Sequence, residues 1–319
     1  MQEREILSKT GTVSEMKINS RICAKLFPAE KHNPITTGEL LFVTRMARLS
    51  CLSEKEISAI GNWWLWVRNL FIQNTMTKPM EKTLATLAIN AVTNNEPIHF
   101  ASARSPELVH AQLLNRGDRN LPRSRAALVT FSNIIKESDN FIPTAGTIFL
   151  ADIAIDNIEE IQKICPCLDK IIVQNILKLK SIITEENLFP DINIIRMSTL
   201  VLPNKQLVGN LVNIDGSINI PIIFSNHAEQ LIQIATKESA ISHQRMFGWD
   251  ENKSKSHNLN LAKTMALVGQ AVKNMNPPAI LIHNESFISR GALNNLLNDP
   301  KDPLPVICLN TLLEKKSLQ

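Results

Sequence analysis

Anions are held by guanidinium groups, hydroxyls and free backbone N–H donors, and the segment PIHFASARSPELVHAQLLNRGDRNLPRSR, residues 97–125, offers all three. An apolar run over residues 98–101 breaks into Ser102-Ala103-Arg104-Ser105, and Pro106 then opens a helix. Arginine presents a planar fork that matches phosphate or carboxylate bidentately. The first turn of a helix adds unsatisfied N–H groups to such a site. Arg116, Arg119, Arg123 and Arg125 follow in the loop. By themselves those four read equally well as a solvated surface paired with Asp118.

Three further apolar runs end in groups of similar chemistry. Residues 147–155 carry Asp152, with Asp156 just beyond, as a ligand for a metal or a hydroxyl or as a cap on the next helix. Residues 192–202 carry Arg196 and Ser198. Residues 279–282 run into His283-Asn284-Glu285, neighbouring groups of the kind that general acid–base work needs. Strand alternation sends only one of His283 and Asn284 to a given face. In an open α/β sheet, ligands bind beyond the carboxyl ends of the parallel strands. The expected site therefore has Glu285, His283 and Asp152 as catalytic groups. Its ligand-binding groups are Ser102, Arg104, Ser105, Arg196, Ser198 and Asn284.

The elements that must position these groups follow from the hydrophobic periodicity. From Pro97 onwards apolar runs alternate with helical stretches, which defines an α/β fold. The expected sheet is Rossmann-like, mixed and mainly parallel, with helices on both faces. Its antiparallel part is a hairpin at Asp215-Gly216, because that dipeptide between two β-prone runs suits a tight turn with positive φ. Residues 1–95 form a helical segment packed on the α/β body of residues 96–319. Within it, residues 1–36 read as a loose lead-in, followed by helices over 37–49, 53–71 and 80–92. Ser53 and Glu56 make a capping box for the second of these. On it Ile57, Ile60, Trp64, Val67 and Phe71 share one face, while Trp63, Trp66 and Leu70 fill much of the rest. Towards the C-terminus a helix starts at Ser225 or Asn226. The polar stretch 246–258, MFGWDENKSKSHN, reads as a loop before a helix over 259–273.

Composition narrows the class. With 319 residues, 44% of them hydrophobic and 20% charged, the chain can bury a sizeable core and does not read as disordered. A net charge of +4 is too small to imply nucleic acid. No apolar run approaches the roughly 18 residues a membrane span requires. The five cysteines are scattered, and Cys165-Pro-Cys167 lacks metal or redox spacing, so they read as reduced thiols in a cytoplasmic protein. His227 and His243 lie too far apart on one helix to share a metal, and no metal is expected. Glycine-rich nucleotide loops, zinc-protease helices and serine elbows are absent from the sequence. The sequence leaves the cofactor unknown. The expected function is an enzyme, a transferase acting on an anionic small molecule held at the strand ends. The alternative is an interaction protein that binds a macromolecule through its tryptophan-rich helix and basic loop.

Overall fold

Alternation of β-prone runs with amphipathic helices builds a parallel sheet, because each strand must return through a crossover before it can pair in the same direction. The computed structural model describes residues 43, 51–70, 77–104, 121–150, 168–185, 187–188, 192–196, 225–283 and 287–308. In chain order the elements are α1 (Glu54–Leu70), α2 (Lys78–Asn94), β1 (Ile98–Arg104), α3 (Leu121–Asp139), β2 (Thr144–Leu150) and α4 (Leu168–Glu185). They continue with β3 (Ile192–Arg196), α5 (Asn226–Phe247), α6 (Glu251–Lys273), β4 (Ala279–His283), α7 (Phe287–Leu297) and β5 (Val306–Cys308).

The five strands pair in the order β3-β2-β1-β4-β5, and every pairing is parallel. The sheet is therefore Rossmann-like and α/β as the periodicity implied, but all-parallel among the described residues rather than mixed. The hairpin expected at Asp215-Gly216 lies outside those residues, as do the lead-in and nearly all of the helix expected over 37–49.

Two apolar layers sandwich the sheet. On one face Ile98 and Phe100 of β1, Ile148 of β2 and Ile280 and Ile282 of β4 pack with α1, α2, α3 and α4. On the other, Ala101, Phe149, Ala279 and Leu281 pack with α5, α6 and α7. The near-continuous apolar strands follow from burial on both sides. Close approach sets the residue choice at Gly146, where a Cβ would lie 2.2 Å from Cδ1 of the buried Ile135 on α3.

Local signals explain the element ends. The capping box forms: the Ser53 backbone N–H donates to Glu56 Oε2 at 2.7 Å, and the Glu56 N–H donates to Ser53 Oγ at 3.4 Å. The Ser53 hydroxyl also donates to Glu56 Oε2 at 2.6 Å, and this bond, with that from the Ser53 N–H, holds the Glu56 carboxyl below its ordinary range. Thr77 caps α2, which ends at Asn95 in the left-handed region, φ 55°. Two of the differences from the sequence reading bear on the site and its surroundings. β1 continues to Arg104, so Ser102 and Arg104 lie within the strand and not past it. The stretch 246–258 is not a loop: α5 runs to Phe247, Gly248 caps it at φ 69°, and Asp250 caps α6 at once.

Candidate functional site

Strand order locates the crevice. The chain winds outwards from β1 through β2 to β3 on one side, then returns to place β4 and β5 on the other side of β1. Crossovers leave β1 and β4 in opposite directions, so the carboxyl ends of these two strands border the place where a doubly wound fold opens a cleft. Ser102 pairs with Ile282 across this junction. The last residues of the two strands, Arg104 and His283, therefore stand at its rim, Arg104 in the register of the Phe100 face and His283 in that of the Leu281 face.

The register adds a second arginine. Arg104 pairs with Leu150, and Leu150 pairs with Arg196. The two arginines thus occupy one row at the end of the sheet, two strands apart and about 10 Å from backbone to backbone. His283 sits at the same edge, where it pairs with Cys308 of β5.

Other expected groups are not brought together. Ser102 lies on the face of β1 that carries Phe100, whereas His283 lies on the face of β4 that carries Leu281. Their side chains leave the sheet on opposite sides. Ser102 is moreover 1% exposed, so its hydroxyl is covered within the layer beneath α1–α4 and does not line an open cleft. Asp152, Ser105, Ser198, Asn284 and Glu285 lie outside the described residues, as do Asp156 and most of the basic loop. Arg123 and Arg125 fall in the first two turns of α3.

The tryptophan-rich helix is core. Trp63 is 0% and Trp64 1% exposed. Trp63 Nε1 donates to Ser138 Oγ at 2.8 Å, and Ser138 Oγ lies 2.8 Å from Thr144 Oγ1, a buried polar chain that joins α1, α3 and the start of β2. Trp66 is half-buried, donates to Glu137 at 3.1 Å and meets Phe100 edge to face at 6.4 Å. An exposed aromatic docking surface is absent from this helix.

A polar cluster that the sequence reading missed lies between α5 and α6. Asn258 Nδ2 donates to Ser239 Oγ at 2.9 Å and to Thr236 Oγ1 at 3.2 Å. His243 Nδ1 and Ser254 Oγ share a short hydrogen bond. Trp249 at the turn sets its ring 5.3 Å from His243, with Lys253 Nζ 5.5 Å from the Trp249 centroid. The signal was present: Ser254 and Asn258 are four apart, and Thr236, Ser239 and His243 are spaced three and four apart, so each set falls on one helical face.

Among the described residues no group of three His, Cys, Asp or Glu could hold a metal, and no helix is long and apolar enough to cross a membrane. Comparison with known proteins adds no relative: no family model, no curated protein and no solved structure matches the chain.

Proposed function

We propose that the chain is an enzyme of the transferase class that binds an anionic, phosphate- or carboxylate-bearing small molecule at the carboxyl ends of β1 and β4. The observation that carries this reading is the reversal of strand order between β1 and β4, with Arg104 at the end of one strand and His283 at the end of the other. Arg196, in the same row as Arg104, is the second group proposed to hold the anion. Two arginines whose backbones lie about 10 Å apart in one row suit a ligand with two anionic groups better than a single inorganic ion. In this reading His283 or Glu285 moves the proton, and Asp152 orients a polar group of the substrate. A group-transfer enzyme needs such an arrangement: charge neutralisation on the anion and an acid–base group near the bond that changes hands.

Melting scans of wild type and Arg104→Lys, with and without phosphate, ADP and a dicarboxylate, test the proposal. Wild type is expected to melt higher with at least one of these anions, because a ligand that binds only the folded state stabilises it. Arg104→Lys is expected to lose most of that shift, since an ammonium cannot reproduce the bidentate fork. Its ligand-free melting temperature should stay unchanged or rise. If Arg104→Lys lowers ligand-free stability and no anion shifts the wild type, Arg104 belongs to a structural ion pair and the binding reading fails.

A further inference from the structure

The contacts of α7 fix the height of its neighbours. Asn294 on α7 donates to Ser225 Oγ, the cap at the start of α5. Three residues nearer the start of α7, a Cβ at Gly291 would lie 3.0 Å from Ala228 O and 3.5 Å from Leu231 Cβ. α5 therefore runs towards the start of α7, which follows directly on β4 at the carboxyl edge of the sheet. α6 runs the other way. A Cβ at Gly269 would meet Leu293, Leu296 and Leu304, and Lys273 Nζ binds Asp299 Oδ2 at 2.7 Å at the opposite edge. At 1.5 Å per residue, α5 passes the start of α7 near residue 235 and climbs about 18 Å further, and α6 comes back down over a similar height. Residues 236–261 thus form a helical arm that rises past the sheet edge at which β1 and β4 open their cleft. It rises from the layer that covers Ala101 of β1 and Leu281 of β4.

Among the described residues the arm is held differently from its base. Ile232 and Ala235 of α5 and Leu261, Ala262, Met265 and Val268 of α6 belong to the apolar core. None of the described side chains from 236 to 260 belongs to either apolar cluster. In their place the helices meet through Thr236, Ser239, His243, Ser254 and Asn258. Water can replace a hydrogen bond with little net loss, but it cannot replace apolar burial. Segments with few apolar contacts open at lower free energy than the core.

We propose that residues 236–261 are a gate: an arm that opens as a unit on the packed base of α5 and α6 and closes along the cleft at β1 and β4. Its role at the cleft rests on the ligand reading above, whereas its independent opening does not. Hydrogen exchange on the full chain tests both.

Without ligand, amides of residues 239–258 are expected to exchange together and at least about tenfold faster than those of residues 262–272. Asn258→Ala should speed the arm further and leave the base unchanged. Equal rates for arm and base in wild type would overturn the proposal. So would an arm whose rate stays the same when ADP binds, as registered by a raised melting temperature. A melting temperature that no anion moves would overturn the cleft reading alone, because the opening is measured without ligand.

Discussion

At the scale of single residues, Trp64 illustrates how an aromatic residue on a helix is to be weighed. It sits on the stripe defined by Ile57, Ile60 and Val67, is 1% exposed, and carries the Arg68 guanidinium 5.6 Å from its ring centroid. Among the described residues its Nε1 has no hydrogen-bond partner, so what the side chain contributes is apolar volume. Trp64→Ala is expected to destabilise by about 3–5 kcal/mol, the range for emptying an aromatic site in a core. Urea denaturation of the two proteins measures this, and a loss below about 1 kcal/mol would mean that the site collapses around the alanine. Such burial was legible from the helical stripe for Trp64, and for Trp63 from a helix apolar on most sides. Trp63 lies off the stripe and is buried because α3 and β2 supply a hydroxyl for its indole N–H. That partner is distant in sequence, and no local pattern announces it.

Between elements, the Trp63–Ser138–Thr144 chain shows how α1 is tied to the α/β layers. Ser138 Oγ accepts from Trp63 and shares a hydrogen bond with Thr144, whose own hydroxyl lies 2.8 Å from the Ile142 carbonyl. Ser138→Ala removes the acceptor and leaves a buried indole N–H unpaired. The cost is expected to be about 1–3 kcal/mol. Ser138→Ala combined with Trp63→Phe removes both partners, and the coupling energy from that cycle should be favourable and above about 0.5 kcal/mol. Additive losses would show that the hydrogen bond adds nothing beyond packing. The sequence showed where strands and helices lie wherever burial is apolar: β1, β2, β3 and β4 all start within a few residues of the runs that announce them. It failed at residues 246–258, because Ser254 and Asn258 are buried through hydrogen bonds. A helix whose inner face is polar looks like a loop to any reading based on hydrophobic period. The end of β1 was missed for another reason. Ser102 and Arg104 are polar, yet the pairing with β2 continues through both.

For the whole molecule, two groups at opposite ends of the titration range shape stability. His99, on the central strand β1, has a buried Nδ1 without a hydrogen-bond partner among the described residues. Burial pushes its imidazole below the ordinary 6.5, against the opposing charge of Glu96. The unfolded chain therefore takes up this proton at a higher pH than the folded one does. Stability contributed by neutral His99 is present above pH 6.5 and declines as the pH falls below it. Asp299 acts in a lower window. Hydrogen bonds from Lys273 Nζ and from the N–H groups of Lys301 and Asp302 lower its carboxyl from 3.8 to about 2. Its contribution is complete above pH 3.8 and is lost between there and about 2. The Asp299 carboxylate is solvent-accessible, so salt screens part of this effect. A melting profile from pH 8 to 2 should accordingly fall in two steps. His99→Gln is expected to flatten the upper step, below pH 6.5, and leave the lower one in place. Asp299→Asn should flatten only the lower step and should make the profile less sensitive to added salt there. If His99→Gln leaves the slope between about pH 6.5 and 5 unchanged, the fall in that window comes from other carboxylates, and neutral His99 contributes nothing to the acid limb.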